Sequence, residues 1–370
     1  MPLEIRLIEE PEYGLVNDFF NRTRNINGPV KKRVRKYNEF YWEFLGGAER
    51  RAIFAGAWDC DEGKEPVIVG IQCFIVHKMV ASEGKCVLAA KGEDALIDIN
   101  ALIRFKNRDI LKALSTLLID ECRKAGVEFL WGFNNLPATY KRLGFETPFK
   151  SFNRVLVLDP VKAYRHVKSL RSEHTVSGKL KIAFLSALSY LFSFKRIFLT
   201  VRKKGFHIDH EVNDNTGLFQ RAVFPQHLFF LLQDKEYLQW RIAENPYPVK
   251  YRSYQLLDQG NILHAQVICS IQDNTAFIEQ TLQDKNLDRK VLNFLLKEIL
   301  RSLKNENVFL VRFTGYNNNI LNRRETNLMK NMGFVLTGNG EWFTFKTLSE
   351  NPVVVPGNIY FSRMYKQGRT

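Results

Sequence analysis

The stretch from Ile110 to Phe145, "ILKALSTLLIDECRKAGVEFLWGFNNLPATYKRLGF", limits the possible folds more than any other part of the chain. Leu111, Leu114, Leu117, Leu118 and Cys122 recur at three- and four-residue steps with charges between them, the spacing of a helix that buries one face. Gly126 supplies its stop, because glycine takes the left-handed conformation that closes a helix. "VEFLWGF" follows as a short apolar run rich in strand formers, which predicts a buried central strand. After Asn134 and Asn135, Pro137 opens a second helix running to Lys141 or Arg142 and ending at Gly144-Phe145. The unit is helix, buried strand, short helix, glycine turn.

A long helix ending in glycine, then a strand, then "N…A-x-Y-x-x-x-G-F" resembles the C-terminal half of the GNAT acyltransferase superfamily. Tyr140 stands four residues before Gly144, where that superfamily commonly keeps a tyrosine that protonates the leaving coenzyme A thiolate. "EFYWEF" (Glu39 to Phe44) and "GEDALID" loosely resemble bacterial members encoded near surface-polysaccharide genes. The resemblance implies an α/β (α+β) fold with a mixed, largely antiparallel sheet flanked by helices. It leaves the chemistry to be argued from the site.

The 370 residues are too many for one average domain and fit two. Lys plus Arg number 54 against 39 acidic residues, a net charge of +15. That excess suits an anionic partner, whether a phosphate-bearing cofactor, nucleic acid or an acidic membrane surface, and equally suits a plain solubility charge. Cys60, Cys73, Cys86, Cys122 and Cys269 are scattered and odd in number, so they read as reduced core residues rather than a disulfide frame. No C-x-x-C occurs, which argues against structural zinc. The start "MPLEIRLIEEPEYG" is acidic where a secretory signal needs a basic then apolar run, so a cytoplasmic protein is expected, at most peripheral to the inner face of the membrane.

Taken in order, "LEIRLI" predicts a strand and Tyr13 to Arg22 a helix. The basic run Lys31 to Lys36 reads first as a solvated loop and second as a polyanion contact. "EFYWEFLGG" either packs a core or lines a groove. "RRAIFAGAWD" and "PVIVGIQCFIVHKMV" read as adjacent antiparallel strands, with "KCVLAA" and "DALIDINALI" continuing the sheet.

Between Ile97 and Leu114 the resemblance implies a pyrophosphate loop whose glycines bring backbone N–H groups to the acetyl-coenzyme A phosphates. Here the place holds Lys106, Asn107, Arg108, Asp109, Ile110 and Leu111, and no glycine occurs from Ile99 to Ala125. An aspartate is a good helix cap, but its charge opposes a phosphate. Arg104, Lys106 and Arg108 remain as side-chain cations, with Asn107, Asn134 and Asn135 as further cofactor contacts. Glu93, Asp94 and Asp98 are the candidate general bases and Tyr140 the candidate acid. Each also has a structural reading: the acids as turn or cap residues, the tyrosine as packing.

Residues 161–204 differ from both flanks. The uncharged run Ile182 to Phe194 lies between basic clusters and falls short of the roughly 20 residues that span a bilayer. A linker helix, an interfacial helix on an anionic membrane through 181–204, and an oligomer contact all stay open. His207 and His210 lack a third ligand nearby and read as a surface turn.

After Gly205 the first pattern recurs. Trp240 in "EYLQWRIAENPYP" matches Trp42, Leu287 to Leu303 predict the amphipathic helix, "VFLVRFTGY" replaces "VEFLWGF", and "LMKNMGF" with Gly333 replaces "YKRLGF". The expected organisation is therefore two tandem GNAT-like domains, 1–160 and 205–350, joined by 161–204, with a tail 351–370 that adds an edge strand or crosses to the other domain. In the second copy "LDRKVL" again lacks glycine and Met329 replaces the tyrosine.

Three functions follow. The first is acyl transfer from acetyl-coenzyme A to an amine, such as an amino sugar of a surface polysaccharide. The second is transfer from aminoacyl-tRNA, as in Fem-type enzymes that also pair two such domains and lack a coenzyme A loop. The third is a non-catalytic binding protein in polysaccharide assembly.

Overall fold

The structure is a computed structural model that describes residues 3–26, 34–47, 51–61, 63–106, 108–170, 187, 205–210, 223–284 and 286–365. Its strands are β1 (Leu3–Leu7), β2 (Arg51–Asp59), β3 (Val67–Ala81), β4 (Cys86–Ile97), β5 (Phe129–Asn134), β6 (Lys150–Val157), β7 (Phe206–Asp209), β8 (Phe229–Leu231), β9 (Lys250–Asp258), β10 (Leu263–Gln272), β11 (Thr275–Gln283), β12 (Leu310–Gly315) and β13 (Val335–Thr347). The helices are α1 (Tyr13–Ile26), α2 (Tyr37–Phe44), α3 (Ile99–Arg104), α4 (Ile110–Lys124), α5 (Pro137–Arg142), α6 (Pro160–Leu170), α7 (Lys235–Leu238), α8 (Arg289–Asn305) and α9 (Ile320–Asn331).

The strands form one sheet in the order β1-β2-β3-β4-β5-β13-β6-β12-β11-β10-β9-β7, with β8 attached to β3. Neighbours are antiparallel except at two places, β4 beside β5 and β11 beside β12. A parallel pair needs a crossover, and the crossovers are the two amphipathic helices α4 and α8. The order thus contains the same unit twice, running inward from each edge.

The units meet by exchanging their last strands. β13, from the end of the chain, pairs with β5 of the first unit, from Trp342 opposite Asn134 to Thr347 opposite Phe129. β6 pairs with β12 of the second, from Leu310 opposite Val157 to Gly315 opposite Phe152. β13 and β6 then pair with each other, and the sheet is continuous across the join.

α4 lies on the first unit through Ile110, Leu114, Leu118 and Cys122, flanked by Ser115 and Ile119. Leu111 and Leu117 are only half buried, so the buried stripe is rotated by about one residue from the leucine pattern. Each fully buried aliphatic side chain contributes roughly 1.5–3 kcal/mol. Ser115 is satisfied there by donating to Gln72 Oε1 at 2.8 Å. Ala125 and Gly126 close the helix, Gly126 with φ of +74°. Side chains alternate along the central strands, so Ala90 and Leu130 join the α4 core while Ala89 and Trp131 join the core shared by both units.

The shared core is aromatic. Phe361 of the tail packs against Trp131, Phe133, Phe149, Tyr316 and Phe343. Three asparagines fasten this tail. Asn318 and Asn319 both donate to Ile359 O at 2.6 Å. Asn322 donates to Phe361 O at 2.7 Å and accepts from its N–H at 3.1 Å, as a strand neighbour would. The run "GYNNNILN" is therefore the clamp for the chain's own end. No helix among the described residues is long and apolar enough to cross a membrane; of the run Ile182 to Phe194 only Ala187 is described.

Candidate active site

The parallel ladder between β4 and β5 holds for Ala89–Phe129, Ala90–Leu130 and Lys91–Trp131, and then stops. Beyond it β4 stays with β3 and β5 stays with β13, and the end of their own ladder leaves a notch between them. Gly92 and Gly132 face each other where the strands part: a Cβ on Gly132 would stand 3.5 Å from Gly92 O. β4 also bulges here, its register on β3 shifting between Cys73–Glu93 and Ile71–Leu96. Asp94 sits in that bulge with φ of +43°, a conformation that L residues rarely hold without support.

The support is Arg35. Its Nη1 reaches Asp94 Oδ2 at 2.8 Å and Glu43 Oε2 at 2.9 Å, and its Nε donates to Asn17 Oδ1 at 2.9 Å. The guanidinium lies 3.7 Å from the Phe20 ring centroid and the residue is 1% exposed. Tyr247 of the second unit donates its hydroxyl to the other oxygen of Glu43. Part of the basic run read as a solvated loop is thus corrected: Arg35 is interior, because two carboxylates and two asparagines compensate its burial. Residues 31–33 of that run lie outside the described residues.

Glu93, one residue before the bulge, is paired with Lys91 Nζ and keeps about a quarter of its side-chain surface exposed (25%). Lys91 lies 5.7 Å from the Trp131 ring, whose Nε1 donates to His77 Nε2 at 3.1 Å. His77 Nδ1 lies 3.0 Å from Ile75 O, so the imidazole fits the neutral tautomer protonated at Nδ1.

Tyr140 projects from α5 and is half buried, its ring edge-on to Phe145 at 5.5 Å. Burial, and then the charge of Glu93, push its phenol above the ordinary value. Its hydroxyl has no hydrogen bond among the described residues.

The other candidates from the sequence have structural partners. Asp98 ends the sheet and caps α3, accepting from Asn100 N at 2.8 Å, so "INALI" is helical and not a continuation of the strand. Asp109 caps α4 by accepting from Lys112 N at 3.0 Å. Arg104 is bound by Asp59 and Asp61, and Arg108 donates to Leu3 O at 3.2 Å. Lys106 and Asn135 are exposed, and Asn107 lies outside the described residues. Asn134 donates to Thr344 Oγ1 at 3.3 Å and accepts from Leu136 N at 2.9 Å, which starts α5. Lys106 and Arg108 are thus the loop cations for which no carboxylate partner is seen among the described residues.

The second unit repeats the geometry with different side chains. Its ladder stops after Ile278–Phe313, and a bulge in β11 leaves Glu279 beside Ser270 Oγ and 3.2 Å from Arg363 Nε. A bulge carboxylate held by an arginine is common to both units, and no local sequence pattern announced it. Met329, at Tyr140's place, is fully buried. Tyr360 of the tail lies along the end of β11 and donates to Thr281 O at 3.3 Å, with Phe224 and Glu325 around a small residual cavity. His210, read as a surface turn, packs its ring against Tyr254 at 5.2 Å.

No protein-family model matches the chain, and no curated protein matches it in sequence. Solved structures do. A probable N-acyltransferase of Enterococcus faecalis V583 aligns over 94% of this chain and 73% of its own, with 9% identity and a TM-score of 0.60. A tandem GNAT protein from the clavulanic acid biosynthesis pathway aligns over 95% of this chain and all of its own, with 12% identity and a TM-score of 0.56. N-myristoyltransferase of Saccharomyces cerevisiae with bound myristoyl-CoA aligns over 93% and 83%, with 13% identity and a TM-score of 0.55. The split parallel strands, the bulge beside them, the repeated unit and these likenesses together give the chain the GNAT fold, present in tandem.

Proposed function

We propose that the protein is an N-acyltransferase that works in the notch of its first unit, moving an acyl group from a thioester to an amine. The observation that carries this is the free Tyr140 phenol near Glu93 where β4 and β5 part. In the reaction the amine nitrogen attacks the thioester carbonyl and the C–N bond forms. Glu93 takes the ammonium proton, directly or through water, and the C–S bond breaks as Tyr140 protonates the sulfur. The Lys91 ammonium pairs with Glu93 and fixes its place in the notch. Asp94 shapes the bulge and Asp98 the start of α3, so neither is the preferred base.

The donor is an acyl-coenzyme A, acetyl-coenzyme A first among those to try. The likeness in fold to N-myristoyltransferase with bound myristoyl-CoA supports it. An amino sugar is the acceptor favoured by the sequence resemblance, and residues 1–160 and 205–350 are the two domains of this reading. The test is thermal: a ligand at about 100 times its dissociation constant stabilises by roughly 2.7 kcal/mol. A raised melting temperature with acetyl-coenzyme A is expected, and none with any acyl-coenzyme A opposes the assignment.

One observation favours a second donor. Asp109 occupies the mouth of α4 and Arg104 is already paired, an arrangement poorly suited to a diphosphate. Aminoacyl-tRNA, which presents no diphosphate there, is that alternative. Salt-sensitive retention of charged tRNA without a response to acyl-coenzyme A would favour it.

A further inference from the structure

Helix α5 carries the proposed acid on a slender mount. It has six residues, none of them buried, far below the length at which a helix is stable alone. Tyr140 and the following Leu143 pack on the first unit's core, and a further anchorage comes from the other end of the chain. Lys346 on β13 donates to the carbonyls of Leu143 and Gly144 at 3.3 and 3.2 Å. These acceptors follow the last turn, where unpaired carbonyls favour a cation. The same ammonium lies 5.8 Å from the Phe145 ring, the ring that meets Tyr140 edge-on. A Cβ on Gly144 would come within 2.6 Å of Lys346 Nζ, so the ammonium packs flush on the turn. Lys346 is therefore one contact from the phenol along two routes, the backbone of the turn and the Phe145 ring.

We propose that Lys346, delivered by the exchanged strand, is a positioning residue for Tyr140 and makes the first notch depend on the second unit. Strand β13 does not need this amine for its own placement: its backbone ladder with β5 and the buried rings of Phe343 and Phe345 hold it. The amine is directed instead at the turn that ends α5. This role rests on Tyr140 as the acid of the proposed reaction, and the experiment separates the two claims.

Protein labelled with 3-fluorotyrosine gives a fluorine resonance for Tyr140, assigned by its loss in Tyr140→Phe. In Lys346→Met that resonance is expected to move or broaden and its titration midpoint to fall, while the melting temperature changes little. Lys346→Arg restores both the resonance and the midpoint. In turnover, Lys346→Met lowers kcat roughly tenfold and leaves KM for the donor unchanged, the pattern of a misplaced reacting group. An unmoved Tyr140 resonance in Lys346→Met overturns the proposal. Should that variant not fold, Lys346→Thr, which suits a strand and cannot reach the turn, carries the same comparison. The spectra do not depend on turnover, so a wild-type protein without acyl transfer would count against the enzyme reading alone.

Discussion

Trp42 and Trp240 hold each other across the centre of the molecule: each indole N–H donates to the other's backbone carbonyl, at 2.8 and 3.0 Å, and the rings stack at 5.0 Å. The pairing is reciprocal, as two copies of one unit related by a local two-fold axis would make it. Trp240 lies in a π-helical turn, Gln239–Ala243, that follows α7. Both tryptophans are buried, and each costs about 3–5 kcal/mol when cut to alanine. Urea unfolding of Trp42→Ala, Trp240→Ala and the double variant should give a double loss smaller than the two single losses added, with a coupling of roughly 0.5–3 kcal/mol. Strict additivity would mean that the ring stacking does not contribute, since each hydrogen bond ends on a backbone carbonyl that the other substitution leaves in place.

Arg35 serves two carboxylates at once, one of them the strained Asp94. Removing the guanidinium takes from Glu43 and Asp94 the cation that pairs with both. Arg35→Met should destabilise by about 3–5 kcal/mol, as breaking a buried charge pair does. The companion Arg35→Met/Glu43→Gln/Asp94→Asn should recover part of that loss. Equal stability of the single variant and wild type in denaturant would refute the role given to Arg35.

Glu325 gives a pH dependence of known sign. Burial pushes its carboxyl up to about 8, partly offset by hydrogen bonds from groups that include Asn322 and Tyr360. The folded state therefore keeps a proton that the unfolded chain gives up near 4.5. Between those values the folded state binds more protons, so this group's stabilisation is complete below about pH 4.5 and is lost as pH rises toward 8. Comparing urea midpoints from pH 5 to 8, wild type should decline relative to Glu325→Gln, by at most about 1.4 kcal/mol per pH unit. Parallel curves would contradict the burial.

Much of the fold was legible because its signals are local. Helix α4, the strand to Asn134 and the turn at Gly144 follow from spacing and from two glycines with positive φ. The match of Trp42 to Trp240 was legible as a repeat, though not as a contact. Strand exchange was not, because alternation marks β6 and β13 as strands without naming their partners. Arg35 was misread for a related reason: a charge in a basic run is solvated unless distant residues meet it, and Asp94 lies 59 positions away. In the candidate site, Tyr140 and Glu93 were named through the family resemblance, Tyr140 by its place before Gly144. Lys346 was not, since a lysine alternating with buried rings along a strand carries no sign of the helix end it will meet.

The measurement closest to the central claim is thiol release from acyl-coenzyme A in the presence of an amine panel, by wild type and by Tyr140→Phe. The variant deletes one oxygen that has no hydrogen bond among the described residues, so folding and donor binding should be retained. Loss of a general acid of this kind lowers the rate by roughly 10²–10⁴-fold. A fall of that size with unchanged donor affinity is the expected result, and equal turnover by the two proteins would contradict the account.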